Sequence, residues 1–224
     1  MPTAILIDGA FFVHRFREIE PLNAYDPDRA AQQAWRWAVA HLIDKNSNSS
    51  KHELYRIFFY DCPPLENKML NPISGNEVDL RKLKEASFRT ALHDSLRKKR
   101  KVALRLGHLS GDATWTIRPD KIQAILKKKI TSSDLTEKDV MPQTRQKGVD
   151  MRIGLDIASL AFKKQVKQIV LIVGDADFIP AAKLARREGI DFILDPMWNP
   201  ISPGLREHID GLRTTCPNPK PGRP

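Results

Sequence analysis

Residues 168–173, QIVLIV, form the most apolar run of the chain and are followed directly by GDADF, residues 174–178. A continuous apolar run of this length is typical of a central strand in a parallel sheet, because helices cover such a strand on both faces. A helix is predicted next, over residues 178–188. The predicted strand therefore ends beside two aspartates, Asp175 and Asp177.

The same order of elements recurs along the chain. Strands are predicted at residues 3–8 (TAILID), 54–60 (LYRIFFY), 102–106 and 190–194 (IDFIL), and aspartates end or follow three of them, at Asp8, Asp61 and Asp195. Helices are predicted over residues 28–43, 77–98, 119–129, 149–162 and 205–212, with a loop at 45–51 and a hairpin strand near Trp115. The helix over 149–162 is apolar on most of its circumference, so we expect it to be well buried. Strands that alternate with helices predict an α/β fold of three layers, α/β/α, with a mainly parallel central sheet.

The chain of 224 residues is long enough for one sizeable domain. We predict a single domain over residues 1–213, with an irregular insertion at 107–146. A flexible tail rich in proline is predicted at residues 214–224.

The composition favours a soluble partner of polyanions. The formal net charge is +10, with 41% hydrophobic and 29% charged residues. A basic protein favours nucleic acid, although charge alone does not separate RNA from DNA or from an acidic membrane, and a solvated basic surface is the plainer interpretation. No run approaches the roughly 18 uncharged residues of a membrane span, and no signal peptide is recognised. Cys62 and Cys216 lie far apart without zinc-site spacing, which favours a reducing compartment, the cytoplasm.

Four aspartates are expected to converge, because in open parallel sheets the working site lies outside the carboxyl ends of the strands. They are Asp8, Asp150, Asp175 and Asp177. Taken singly, Asp177 is a candidate helix cap, and Asp150 fits the first turn of a helix, where it answers the helix dipole. Taken together, several carboxylates in one pocket repel one another unless a cation lies among them. Mg²⁺ and Mn²⁺ take oxygen ligands, so the pattern favours a metal-dependent phosphodiester hydrolase.

Three short motifs resemble the NYN domain of the PIN-like ribonuclease superfamily: IDG at residues 7–9, KGVD at 147–150 and GDADF at 174–178. The resemblance covers about residues 2–212, is weak around 107–146, includes Asp156, and is closest to the bacterial LabA-like branch. It implies a PIN-like α/β/α fold and cleavage of RNA that depends on Mg²⁺ or Mn²⁺. It also implies that Asp8, Asp150, Asp175 and Asp177 form the acidic set. Many NYN sequences carry asparagine three residues after the first aspartate, where this chain has Phe11.

The resemblance gives these residues roles. Asp8, Asp150 and Asp175 are expected to bind one metal ion directly or through water, and Asp177 to complete its shell or hold a second ion. The expected supporting residues are Lys147, Asp156 and Asp61. From their charge and position, and not from the resemblance, the expected RNA contacts are Arg97, Lys98, Lys99, Arg100, Lys101 and Arg15.

Two other classes of function stay open at this point. An NYN module with a degraded site would bind nucleic acid in a regulatory role without useful catalysis. A phosphohydrolase with an aspartyl nucleophile would favour a second carboxylate two residues after Asp8, where this chain has Ala10. We expect RNA as the partner, no membrane and no small-molecule cofactor, and leave a homodimer open.

Overall fold

The computed structural model describes residues 1–43, 52–109, 114–143 and 146–219. The predicted loop at 45–51 lies outside the described residues, as do parts of the insertion and of the tail. The strands are β1 (Pro2–Asp8), β2 (Glu53–Asp61), β3 (Lys68–Leu70), β4 (Glu77–Asp79), β5 (Val102–Leu106), β6 (His108–Leu109), β7 (Thr114–Ile117), β8 (Val140–Gln143), β9 (Gln146–Lys147), β10 (Gln168–Ile172), β11 (Asp191–Asp195) and β12 (Gly211–Leu212). The helices are α1 (Gly9–Ile19), α2 (Pro27–Ala40), α3 (Lys84–Arg97), α4 (Pro119–Leu126), α5 (Val149–Phe162), α6 (Ile179–Arg187) and α7 (Pro203–Glu207).

A six-stranded parallel sheet forms the centre of the molecule, in the order β12-β11-β10-β1-β2-β5. From β1 the chain first adds strands on one side, β2 and β5, and later adds β10, β11 and β12 on the other. The direction of winding therefore reverses between β1 and β10. Such a reversal opens a crevice at the carboxyl ends of the two strands, and that crevice is where ligands bind in sheets of this kind.

Alternation along β1 separates two apolar cores, one on each face of the sheet. Ala4 and Leu6 pack with α5 and α6, whereas Ile5 and Ile7 pack with α1, α2 and α3. Successive side chains of a strand point to opposite faces, so a strand this apolar needs a helical layer on each side. The predicted three-layer α/β/α architecture is confirmed.

The predicted strands of the central sheet and the helix over 149–162 agree with the structure within one or two residues. The hairpin strand near Trp115 is also confirmed, since β7 pairs antiparallel with β8 and places Trp115 opposite Pro142. Among the described residues, no helix is long and apolar enough to cross a membrane.

The helix predicted over 77–98 is wrong in its first part. Residues 77–79 form β4, which pairs antiparallel with β3, and the helix begins only at Lys84. The chain turns between them because the Asp79 carboxylate accepts a hydrogen bond from the backbone N–H of Arg81. The leucines keep a helical spacing before Lys84, but the turn at Asp79 prevents a continuous helix there.

The helix predicted over 205–212 is wrong in its second part. Helix α7 ends at Glu207, and residues 211–212 form the edge strand β12 beside β11. The Asp210 carboxylate accepts a hydrogen bond from the backbone N–H of Phe192 at 2.9 Å, which ties this segment to the sheet. The other helices predicted at 28–43 and 119–129 end earlier, at Ala40 and Leu126.

Two further differences concern what is buried. Helix α5 exposes a stripe of apolar side chains, with Met151 68% and Leu155 61% exposed, so it is less buried than predicted. The packed chain also continues past residue 213, because Cys216 is buried in the core beside α1 and α2. The Thr215 hydroxyl donates to the Trp37 carbonyl at 2.8 Å.

Candidate functional site at the carboxyl edge of the sheet

Asp8 ends β1 and at the same time begins α1. Its Oδ1 accepts hydrogen bonds from the backbone N–H groups of Ala10 at 2.9 Å and Phe11 at 3.1 Å. This is an N-cap, and it satisfies two of the donors that a helix leaves open at its start. Its Oδ2 accepts no hydrogen bond from the described residues, so one carboxylate oxygen is held in place and the other remains available.

Gly9 explains why the aspartate is followed by glycine. A Cβ at this position would lie 2.6 Å from both the Tyr60 carbonyl oxygen and the Phe59 ring. Helix α1 can therefore begin directly against β2 only when residue 9 has no side chain. Packing thus requires the glycine of the IDG motif, and the helix that starts there holds Asp8 at the edge of the sheet.

Asp175 and Asp177 lie in the loop after β10, next to β1 in the sheet. The backbone N–H of Asp177 donates to Asp175 Oδ1 at 3.3 Å, which holds the loop in a tight turn. Asp150 reaches the same edge from the first turn of α5. Asp150, Asp175 and Asp177 are all exposed, whereas Asp8 is partly buried.

The four carboxylates influence one another electrostatically. Burial raises the pKa of Asp8 to about 6, with further increases from the charges of Asp150 and Asp61 and an opposing effect from its cap hydrogen bonds. Burial likewise raises the pKa of Asp150, and the charges of Asp175 and Asp177 add to it. In the part of the chain that the structure describes, no lysine, arginine or histidine forms an ion pair with any of the four. The negative charges at this edge therefore have no compensating side chain among the described residues.

The carboxylates do not form a ready-made metal shell. Among the described residues, no three acidic, histidine or cysteine side chains lie together in a way that could hold a metal ion. The donor chemistry nevertheless fits a hard divalent cation, because such ions keep several waters and are often bound through only one or two carboxylates. Any ion at this edge would be bound partly through water.

A pocket of about 320 Å³ opens beside Asp8 and Asp175. Phe11 forms one wall, and its ring lies against Gly174, where a Cβ would be 2.5 Å from the ring carbon Cε2. Phe11 therefore takes up space next to the acidic residues, at the position where many NYN sequences carry an amide. Asn199 also lines this pocket and brings an amide to it from a different loop.

The turn that carries Asn199 is strained and firmly held. Met197 and Trp198 have φ values of 46° and 70°, which are unusual for residues other than glycine. The Asp195 carboxylate accepts from the Met197 N–H at 2.8 Å, and the Arg15 guanidinium donates twice to the Met197 carbonyl, at 3.0 and 2.7 Å. Sequence reasoning missed Asn199, because nothing local in the segment DPMWNP distinguishes it from an ordinary turn.

Arg15 is therefore placed differently from the expectation for an RNA contact. Its side chain is buried, 6% exposed as a residue, and its guanidinium is occupied by Met197 and Glu18. Its guanidinium holds the turn that carries Asn199 and does not face solvent.

Asp61, expected as a supporting residue, is fully buried one strand away from Asp8. It accepts hydrogen bonds from Arg89 at 2.8 and 2.9 Å and from His93 at 2.8 Å. Burial by itself would raise the pKa of Asp61, but these bonds and charges from His93 and Arg89 outweigh it and lower the pKa. Asp61 therefore joins α3 to β2 and adds negative charge behind Asp8.

Asp156 and Lys147, the other two residues expected to support the site, have different surroundings. The Asp156 carboxylate accepts from the Tyr60 hydroxyl at 2.8 Å and from Arg105 at 3.1 Å, so it links α5 to β2 and β5. Lys147 is exposed in β9, which pairs with β6 opposite His108. It precedes Asp150 by three residues and forms no ion pair within the described chain.

The basic run lies at the opposite edge of the sheet from Asp8. Residues 97–101 connect the end of α3 to the start of β5, and Lys101 donates to the carbonyl of Leu54 near the start of β2. These are the amino ends of parallel strands whose carboxyl ends carry the aspartates. The structure therefore does not bring Arg97, Lys98, Lys99, Arg100 and Lys101 together with the acidic residues.

The two cysteines are not candidates for nucleophiles. Both are free and buried, and burial raises the pKa of Cys62 to about 11 and that of Cys216 to about 12. A buried neutral thiol is inert compared with a thiolate.

Comparison with known proteins identifies a family. The NYN domain family matches residues 2–199. No match is found among proteins of curated function. Among solved structures, the chain is similar to a crystal structure of a protein of unknown function from Vibrio parahaemolyticus, with a TM-score of 0.43 and 18% sequence identity, covering 94% of this chain and 90% of the other.

Proposed function

This chain belongs to the NYN domain family, a branch of the PIN-like nuclease superfamily, and on that premise we propose that it is a ribonuclease that uses Mg²⁺ or Mn²⁺ to hydrolyse phosphodiester bonds in RNA. One observation carries the proposal. The charge of Asp150 acts on Asp8 and those of Asp175 and Asp177 act on Asp150, beside the reversal between β1 and β10, and no side-chain cation of the described residues forms an ion pair with them.

Asp8 is the central ligand in this proposal. The cap bonds fix its Oδ1, so the orientation of its Oδ2 is set before any ion arrives. Preorganised groups of this kind avoid the cost of reorganisation during the reaction. Asp150 and Asp175 are assigned to the same ion, and Asp177 to its outer shell or to a second ion that arrives with substrate.

The bound divalent ion would supply neutralisation of the scissile phosphate and activation of water. The chain contributes the arrangement around it. Asp150 is exposed, so its contact with the ion can run through a water molecule that its carboxylate would orient. The net charge of +10 supports binding of the polyanion, and the choice of RNA over DNA follows the family.

The test is cleavage of end-labelled single-stranded and structured RNA by purified protein with Mg²⁺, with Mn²⁺ and with EDTA. Cleavage is expected only with metal, and Asp8→Asn and Asp175→Asn are expected to lower it by at least about a hundredfold while the circular dichroism spectrum is unchanged. Asp26→Asn is the matched control, because Asp26 caps α2 in the same way on an exposed surface. A DNA strand of the same sequence tests the choice of nucleic acid.

Two results would contradict the proposal. One is the absence of metal-dependent cleavage of any RNA tested; the other is equal activity in the wild type and both aspartate variants, which would indicate a contaminant. The alternative function is a regulatory module that binds nucleic acid without cutting it. Phe11, which occupies the pocket at the usual position of an amide, is the observation that favours this alternative.

A further inference from the structure

A second and larger cavity lies beside the acidic residues at the same edge of the sheet. It encloses about 830 Å³ and is lined by Asp61 and Cys62 at the end of β2, by the first turns of α3 and by the β7–β8 hairpin. Asp61 follows Tyr60, the residue paired with Asp8 in the neighbouring strand. The floor of the cavity is therefore one strand away from the proposed catalytic aspartate.

The roof of this cavity is built from two segments outside the central sheet. The β3–β4 hairpin is fixed to the segment before β8, because Asn71 Nδ2 donates to the Glu137 carbonyl at 3.2 Å and Asn76 Nδ2 donates to the Glu137 carboxylate at 3.3 Å. The β3–β4 hairpin and the insertion contain none of the three acidic motifs. Together they enclose a space that neither would form alone.

The walls combine apolar surface with one large aromatic ring. Leu80, Leu83, Ala86 and Met141 line the cavity together with Trp115. The Trp115 indole Nε1 is buried and has no hydrogen-bond acceptor among the described residues, an arrangement that folded proteins seldom keep without a reason. A cavity of several hundred Å³ with apolar walls and a few polar groups is the usual form of a small-molecule or group-binding site.

Basic side chains stand at the rim and the floor is already neutralised. Arg118 and Lys138 line the cavity and are exposed, whereas the Arg89 guanidinium at its base is engaged by Asp61 and Glu85. Two exposed carboxylates also lie at the rim, and they are engaged by neighbours, Glu77 by Lys68 and Glu137 by Asn76. The occupant that fits is a flat ring with apolar faces and polar edges, which enters the cavity while the anionic backbone attached to it stays at the rim. A lipid chain would satisfy the walls but not the position of the cavity beside a nuclease site.

We propose that this cavity, here called the Trp115 cavity, binds one unpaired nucleobase of an RNA strand whose neighbouring phosphate lies at Asp8. The inference rests on the proposed function and gives it a substrate class, RNA that is single-stranded next to the cleaved bond. Stacking on an aromatic side chain is tolerant of sequence, so the cavity selects an unstacked base more than a particular one.

The experiment measures binding and not cleavage, by fluorescence anisotropy of labelled RNA, with Ca²⁺ in place of Mg²⁺ and Mn²⁺ so that the carboxylates do not repel the phosphate. A series of single-stranded oligonucleotides, each with one abasic nucleotide, is scanned along the strand. One position is expected to weaken binding about tenfold, and Trp115→Ala is expected to weaken the intact strand by a similar factor and to remove the position dependence. Met141→Trp, which adds bulk to the wall, is the second variant if Trp115→Ala fails to fold. Trp35→Ala is the matched control, because Trp35 is a partly exposed tryptophan on α2 that does not line the cavity.

The outcomes separate the two proposals. A flat abasic scan, an unchanged affinity in both cavity variants, or no measurable binding of RNA would overturn the inference, even if the wild type cleaves RNA with metal. A position-dependent loss of binding in a protein that does not cleave RNA would support the cavity and contradict the proposed catalysis. A duplex that binds as tightly as the single strand would also overturn it, because a paired base cannot enter the cavity.

Discussion

One oxygen of Asp8 caps α1 and the other is available for the proposed chemistry. The cap hydrogen bonds stabilise the folded protein, whereas the charge of the carboxylate destabilises it. Its Oδ1 stabilises α1 as a cap, whereas its charge is unfavourable because it is buried and faces Asp150 and Asp61. An aspartate in an unfolded chain ionises near its ordinary pKa of 3.8, and in the folded protein only at about 6. Between these values the folded state holds the proton that the unfolded state has released, so stability falls as the pH rises and stays lower above pH 6.

Asp8→Asn is therefore expected to stabilise the metal-free protein at neutral pH, because asparagine keeps the cap and removes the buried charge. The expected gain is about 1–3 kcal/mol, the upper figure being the full linkage value for a shift of this size. Urea denaturation in EDTA measures it. The gain should vanish near pH 3, and Asp26→Asn should show a much smaller effect at either pH. A destabilised Asp8→Asn protein at neutral pH would mean that the charge of Asp8 is not a burden in the folded state.

Mg²⁺ gives the reciprocal prediction for the same residue. An ion that binds the folded protein at Asp8 stabilises it by mass action, so the melting temperature of the wild type should rise with MgCl₂ concentration and that of Asp8→Asn should not. Differential scanning fluorimetry with and without MgCl₂, with the ionic strength held constant by KCl, makes the comparison. An equal rise in both proteins would place the ion elsewhere.

Asn199 is held beside the acidic residues by a strained turn. Each of the left-handed residues before it costs on the order of 1–3 kcal/mol, and Arg15 and Asp195 hold them in that state. We expect Asn199→Ala to lower RNA cleavage about tenfold, as loss of one preorganised polar group does, with little change in melting temperature. Asn23→Ala, which removes an amide that donates to Glu20 far from the pocket, is the control. Equal cleavage by wild type and Asn199→Ala would show that the amide has no part in the reaction.

Helix α3 shows how an element is held to the sheet by a buried charge. Asp61 on β2 accepts from Arg89 and His93 on α3; Asp61 and His93 are buried, and Arg89 is partly exposed to the cavity. The pKa of Asp61 is lowered, so its stabilising contribution is present above its ordinary ionisation range and is lost as the pH falls through its folded-state pKa.

Asp61→Asn is expected to cost about 1.5–3 kcal/mol at neutral pH, because Arg89 and His93 lose a buried charged acceptor and Arg89 keeps only the half-exposed Glu85. The difference from wild type should shrink at strongly acid pH, where the wild-type carboxyl is also protonated. Chemical denaturation across this pH range tests it, with Asp94→Asn as a control, since the Asp94–Arg97 pair on the same helix is exposed on both sides. A difference that is constant with pH would contradict the ionic explanation.

The central sheet was predictable from the sequence because its strands carry their own signal. In residues 168–173 the apolar run, the aspartates and the following helix all indicate a buried parallel strand, and local and tertiary requirements agree. The prediction that Asp8, Asp150, Asp175 and Asp177 lie together rests on the same reasoning, since parallel strands bring their carboxyl ends to one edge. The prediction failed at residues 77–83 because a local turn at Asp79 interrupts a helical pattern, and at Arg15 because the carbonyl of Met197, distant in sequence, binds its guanidinium.

The basic run illustrates why position in the fold is needed as well as composition. Five consecutive basic residues, 97–101, are a clear signal for nucleic acid in the sequence. They lie far from Asp8 because they precede β5 and so lie at the amino ends of the parallel strands. The sequence alone does not give this position, since it depends on the direction in which α3 runs along the sheet. The Trp115 cavity could not be predicted at all, because its lining comes from four separate segments.

Helix α5 offers a paired test of which apolar residues support the fold. Leu155 is 61% exposed whereas Ile157, two residues later, is fully buried against the sheet. Ile157→Ala should cost about 2–5 kcal/mol, and Leu155→Ala less than about 0.5 kcal/mol. Thermal and urea unfolding of the two variants measure the difference. Similar losses in both would mean that the exposed stripe of α5 is covered in solution.

Charge is divided unequally over the whole molecule. The net charge of +10 coexists with an uncompensated acidic edge, and much of the positive charge lies elsewhere, including residues 97–101 at the opposite edge. A strand of seven residues such as β1 is roughly 20 Å long, at about 3.3 Å per residue. An RNA whose phosphate lies at Asp8 reaches the basic run only if it continues around the sheet.

The length of the RNA should therefore decide whether the basic run matters. In Lys98→Gln/Lys99→Gln/Arg100→Gln, binding of a short oligonucleotide is expected to stay within about twofold of wild type, because the seat at the acidic edge is intact. Binding of a long RNA is expected to weaken, with a salt dependence reduced by up to about three phosphate contacts. Arg118→Gln/Lys138→Gln at the rim of the Trp115 cavity should instead weaken both lengths. Anisotropy titrations over a series of KCl concentrations distinguish these patterns, and an equal loss for short and long RNA in the first variant would mean that the basic run and the acidic edge share one binding path.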